Sequence, residues 1–79
     1  MPDASIDITR EVCPMTYVRV KLAVEGLADG ATLEVLLRGE EPLKNVPRSA
    51  REDGHEVISL EPLEGGRARL TLRVHHQEP

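Results

Sequence analysis

The chain has 79 residues, a formal net charge of −4 at pH 7 and one aromatic residue, Tyr17. A chain of this length makes a single small domain near the lower limit of what folds unaided. The acidic balance and the lack of aromatic stacking platforms argue against a nucleic-acid binder, which concentrates positive charge and ring faces.

Ile6 and Ile8 alternate with Ser5, Asp7 and Thr9, which predicts a first strand over 5–9 with one face buried. Pro14 stands where a helix's first residue would, a place that suits its fixed φ and missing donor. Tyr17, Val20, Val24 and Leu27 recur at three- and four-residue spacing, with Leu22 and Ala23 beside the stripe. This predicts one amphipathic helix over 14–28, ended by the turn chemistry of Asp29-Gly30.

A second strand follows over 31–38, with Leu33, Val35 and Leu37 on one side and Thr32, Glu34, Leu36 and Arg38 on the other. Glu40 and Glu41 ahead of Pro42 mark a second helix start, whose buried side would carry Leu43, Val46 and Ala50, with Pro47 a further candidate. An interior proline costs a helix roughly 3 kcal/mol. Pro47 therefore predicts a short helical piece up to Asn45, a fresh start at Pro47 and a stop at Gly54. Glu56–Pro62 reads as a third strand and 67–74 as a fourth, joined by the hairpin signal Glu64-Gly65-Gly66. In the last strand Ala68, Leu70, Leu72 and Val74 point inward, and Arg67, Arg69, Thr71 and Arg73 outward. The tail from His75 onward is expected to be loose.

The order β-α-β-α-β-β, with polar outward sets on almost every strand, predicts a two-layer α/β sandwich. It should hold a mixed four-stranded sheet with both helices on one face and a right-handed β-α-β crossover, as one domain over 1–79. The apolar runs are too short to span a membrane. The N-terminus lacks a signal-peptide pattern, and a free thiol fits the reducing cytoplasm.

Cys13 is the only cysteine, so neither an internal disulfide nor a cysteine-rich zinc site can form. No cofactor and no metal is expected. The thiol falls at a strand-to-helix junction, where N-terminal N–H groups and the helix dipole favour the reactive thiolate. Arg10 acts in the same direction and Glu11 against it, so the sign of the net pKa shift stays open. With no resolving cysteine, any redox or sulfur chemistry involves a second molecule.

The stretch Asp7-Ile8-Thr9-Arg10-Glu11-Val12-Cys13-Pro14-Met15-Thr16, continuing to Lys21, resembles the TusA/SirA-like family of small sulfur carriers. The family's hallmark is a Cys-Pro-x-Pro box opening the first helix, with an Asp six residues before the cysteine and a Lys eight after it. Asp7, Cys13, Pro14 and Lys21 match. The run Glu40-Glu41-Pro42-Leu43-Lys44-Asn45-Val46-Pro47 is similar to the family's acidic-proline stretch leading to a hydrophobic-Pro pair. Two positions depart from the pattern. Thr16 replaces the second proline of the box, giving up rigidity in the first turn and adding a hydroxyl. Arg10 replaces the common glycine three residues before the cysteine.

The resemblance implies that Cys13 accepts a sulfane sulfur as a persulfide. The donor would be a cysteine desulfurase or a rhodanese-like protein, and the sulfur would pass on to an acceptor protein; that neither nucleic acid nor membrane is a partner is expected from charge, aromatic content and hydropathy instead. The family's pathways include tRNA thiolation, molybdenum cofactor maturation and sulfur oxidation. Pro14 and Thr16 would shape the first helical turn, and Arg10 and Lys21 are the candidates for partner or thiolate contact. The alternative is an interaction or regulatory module of the same fold that transfers no sulfur.

Other charged residues have plainer readings. Arg10, Arg19 and Lys21 are either a basic rim for acidic partners or scattered surface charge. Arg67, Arg69 and Arg73 would keep the open sheet face wet, opposite Glu34 and Glu61, a reading preferred over a binding site. His75 and His76 are adjacent, so a strand would point them to opposite faces, and His55 has no evident partner.

Overall fold

The computed structural model describes residues 2–10 and 15–76, apart from the side chains of Met15 and Thr16. Strand β1 (Ala4–Asp7), helix α1 (Met15–Glu25), strand β2 (Thr32–Arg38), helix α2 (Glu40–Glu52), strand β3 (Glu56–Pro62) and strand β4 (Arg67–Arg73) follow in that order. One 3₁₀ turn (Glu64–Gly66) links β3 to β4. The sheet order is β1-β2-β4-β3, with β1 parallel to β2 and the other pairs antiparallel. This is the expected mixed four-stranded sheet in a two-layer α/β sandwich.

The inner face follows the alternation of the two central strands. Leu33, Val35 and Leu37 on β2, and Leu70 and Leu72 on β4, are fully buried, as is Val74 just beyond β4. From the helices, Val20, Val24, Val46 and Ala50 close over them, and Ile8 joins the same cluster. β1 is shorter than expected, but Ile8 N–H still donates to Leu36 O at 3.0 Å, which carries the edge one residue past the strand.

β3 is an edge strand and is poorly covered. Ile58 and Leu60 are half-exposed, and the register shifts between Val57 and Ser59. That irregularity, with Glu61 and Pro62 on the same edge, is the kind of device that discourages edge-to-edge pairing.

The expected break at Pro47 does not occur. α2 runs unbroken from Glu40 to Glu52 with Pro47 inside it. Proline removes the N–H that would reach the Leu43 carbonyl. Against that loss, Val46, Pro47 and Ala50 are all buried in the helix–sheet interface. Burying that face outweighs one missing bond, because apolar burial contributes about 1.5–3 kcal/mol for each large side chain.

The end of α2 is set by a Schellman motif. Gly54 N–H donates to Arg51 O and His55 N–H to Ala50 O, both at 3.0 Å, with Gly54 at φ 93°. The helix stop predicted at Gly54 thus has a geometric cause. An alanine there would be held in the left-handed region, at a cost of about 1–3 kcal/mol. Gly54→Ala should therefore lower the urea midpoint with an unchanged m-value. Gly26→Ala should not, because an added Cβ meets Ala23 O only at an ordinary 3.6 Å.

Candidate functional site

On the strand side, the junction between β1 and α1 is shaped by Asp7. Its Oδ1 accepts the Thr9 backbone N–H at 2.9 Å and the Thr9 hydroxyl at 2.7 Å. These two bonds hold the Asp7 carboxyl below the usual carboxylate range, the hydroxyl acting more strongly than the amide. The nearby cations Arg10 and Arg67 add to this. Asp7 is therefore a turn-capping residue that closes the strand. Arg10 is exposed beyond the turn. Cys13 and Pro14 lie outside the described residues. α1 is described from Met15, so the only cysteine falls, in chain order, between β1 and α1. Thr16 belongs to α1, and its side chain is not among those described.

α1 turns Val20 and Val24 into the core and leaves Val18 and Leu22 exposed, at 42% and 61%. These two stand four residues apart, on one helix face. Lys21 is exposed as well. It lines an open cleft of about 320 Å³ together with Val24, Glu25, Glu52, Asp53, His55, His75 and His76. Arg10 follows the turn that ends β1, whereas Lys21 lines the cleft, so the two occupy different neighbourhoods.

Tyr17 carries an interaction that no local spacing signals. Its hydroxyl donates to Asp53 Oδ2 at 2.5 Å and lies 3.3 Å from Ser49 O, joining α1 to the end of α2. Burial and the Asp53 carboxylate, in that order, push the phenol well above its ordinary range. Alkaline ionisation of Tyr17, the only aromatic, can be read directly from its absorbance. Its midpoint should lie well above 10 in the folded protein and return to about 10 in urea. Stability should fall as pH rises past 10, because the unfolded chain then releases a proton that the folded one keeps.

The histidines are placed differently from expectation. His75 N–H donates to His55 Nδ1 at 3.1 Å. His76 N–H donates to Asp29 Oδ1 at 2.8 Å, and its Nε2 donates to Leu27 O at 2.5 Å. These bonds join His75 and His76 to His55, Asp29 and Leu27; residues 77–79 of the expected loose tail lie outside those described. Among the described residues, no group of three or more His, Cys, Asp or Glu side chains is arranged to hold a metal ion.

His55 accepts through Nδ1, so its ring is neutral with the proton on Nε2. Burial lowers its pKa; the His76 and His75 charges act the same way, and Asp53 opposes them. Because the folded state resists protonation, stability should fall as pH drops from about 6.5 through the lowered midpoint. An NMR titration should show the His55 ring changing below 6.5, with the His75 amide moving at the same midpoint. A His75 amide that ignores the His55 titration would contradict the bond.

On the open sheet face, Arg69 reaches Glu61 Oε1 at 2.8 Å and Glu34 Oε1 at 3.4 Å. Among the described residues, Arg69 alone of the arginine row makes the expected pairing with Glu34 and Glu61. The Arg69–Glu34 approach lacks hydrogen-bond geometry and leaves the buried Nε without a bonded partner. Among the described residues, no helix is long and apolar enough to cross a membrane.

The fold and the junction define a small α/β sandwich with one cysteine between its first strand and first helix. Residues 4–74 match the model of the TusA sulfurtransferase family, and the chain belongs to that family. It is 43% identical over 56 residues to a proposed sulfur carrier protein of Archaeoglobus fulgidus, covering 71% of this chain and 64% of that protein. It is 32% identical over 68 residues to another of Methanocaldococcus jannaschii, covering 86% of this chain and 89% of that one. The crystal structure of a SirA-like protein from Desulfitobacterium hafniense superposes with a TM-score of 0.79. The match covers 92% of this chain and 99% of that one at 23% identity, a likeness of fold.

Proposed function

We propose that the protein is a sulfur-relay carrier that holds a sulfane sulfur as a persulfide on Cys13. The observation that carries this reading is the position of the chain's only cysteine, in the β1–α1 connection of a TusA-family domain. Relatives named as proposed sulfur carriers support the same role. In the step itself, the Cys13 thiolate attacks the terminal sulfur of a donor persulfide. A new S–S bond forms at Cys13, the donor's S–S bond breaks, and the donor leaves as a thiolate. Delivery repeats the exchange toward the acceptor, with Cys13 as the leaving thiolate, so no outside oxidant or reductant is needed.

A lone cysteine suits this task. A second thiol nearby would attack the persulfide, close a disulfide and release the sulfur as sulfide. Pro14 and Thr16 are assigned to shaping the first helical turn, and Arg10 and Lys21 to contact with a partner or the thiolate. The exposed pair Val18 and Leu22, on the helix that follows Cys13, offers a partner an apolar contact. The donor is assigned to the cysteine desulfurases or rhodanese-like proteins, and the acceptor is a protein.

Intact-mass measurement after incubation with a desulfurase plus cysteine, or with a rhodanese plus thiosulfate, tests the reading. The expected result is a reducible gain of one sulfur atom that is absent in Cys13→Ser. No gain from several donors, with the thiol still open to alkylation, would replace the carrier with an interaction module of the same fold.

A further inference from the structure

We propose that the open sheet face, at the end where β1 stops, is a docking surface for a carboxylate-rich segment of the protein that delivers sulfur; this rests on the carrier reading above. The observation is a pair of like charges facing each other. Arg38, the last residue of β2, is paired directly with Arg67, the first of β4. Both are exposed and both lie on the face away from the helices. Side chains at such opposed positions have Cβ atoms about 5 Å apart, and two cations there destabilise the ladder.

Nothing among the described residues offsets that repulsion with an ion pair. Arg67 donates its Nε–H to the Glu64 carbonyl oxygen at 3.0 Å, a neutral partner. Glu40 and Glu41 stand on α2, which covers the opposite face. Arg69, one pair further along the same face, is held by Glu34 and Glu61 and contributes little free charge. Arg10 follows directly on the Asp7–Thr9 turn that ends β1, which puts it at the same end of the sheet. Arg10, Arg38 and Arg67 outnumber the one carboxylate beside them on this face, Asp7, and so leave a positive end on a chain whose net charge is −4.

The cluster is tethered to the thiol. The three residues from Arg10 to Cys13 span about 11 Å at full extension. An acidic segment bound across Arg38 and Arg67 would hold the donor within reach of Cys13. Guanidinium groups suit this role because they bind carboxylates through paired N–H donors.

The test compares the wild type with the double variant Arg38→Gln/Arg67→Gln and with Arg73→Gln, a change on the same strand at the far end of the face. Each is loaded with sulfur by a desulfurase with cysteine, by a rhodanese with thiosulfate, and by inorganic polysulfide, which needs no docking. The expected result is loading of the double variant by a donor protein slowed on the order of tenfold at low salt. That difference should close at high salt, with polysulfide loading and the unfolding midpoint no lower than wild type and Arg73→Gln unaffected. Equal loading of double variant and wild type by the donor proteins would overturn the proposal. So would an equal loss in Arg73→Gln, an equal loss with polysulfide, or a wild type that takes sulfur from polysulfide but from neither donor protein. A wild type that takes sulfur from none of the three would sink the carrier reading itself.

Discussion

The structure hangs on the pairing of β2 with β4. A chain with one aromatic residue has to build its core from aliphatic side chains. Five of the largest fully buried ones, Leu33, Val35, Leu37, Leu70 and Leu72, sit on these two strands. Side chains alternate faces along a strand, so a one-residue slip of either strand would send its share of the five to solvent and bring its polar set inward. The register is therefore fixed by burial. Once it is fixed, β1 and β3 can only flank it, and the helices can only cover its apolar side.

That constraint explains what was legible in the sequence. The alternation of Leu33, Val35 and Leu37 against Leu70 and Leu72 is a period-2 pattern needing no knowledge of neighbours, and the Arg69 pairing with Glu34 and Glu61 follows from it. The stripe Val20–Val24 and the stop at Gly54 were legible for the same reason, being local signals. The continuity of α2 through Pro47 was not. The cost of a proline is visible in the chain, whereas the burial that offsets it depends on a sheet formed by distant residues. Tyr17 and Asp53 lie 36 residues apart, and His55 and His75 lie 20 apart. No spacing rule joins them, and only the folded topology brings them together.

The candidate site shows the same division. The cysteine motif stood out in the sequence because its residue types are unusual together. The work of the surrounding positions needed the structure. Asp7, matched to the family pattern by spacing, is occupied in capping the turn at Thr9. A carboxylate already accepting two hydrogen bonds and held ionised is a poor general base, so its place in the pattern is explained by how β1 ends. Lys21, matched by the same spacing, opens instead onto the cleft between the helices and the histidines.

On the proposed reading, the local charge near the thiol matters more than the charge of the whole molecule. A protein of net charge −4 is repelled by an acidic partner at long range. At physiological ionic strength, however, screening cuts that repulsion off within about 8 Å. Close to contact only the groups within that distance count, and at the β1 end of the open face Arg10, Arg38 and Arg67 outweigh the Asp7 carboxylate, with Arg69 already neutralised. The acidic remainder of the surface then has a use of its own. It disfavours approach in every other orientation, so the repulsion and the local attraction select the same docking geometry.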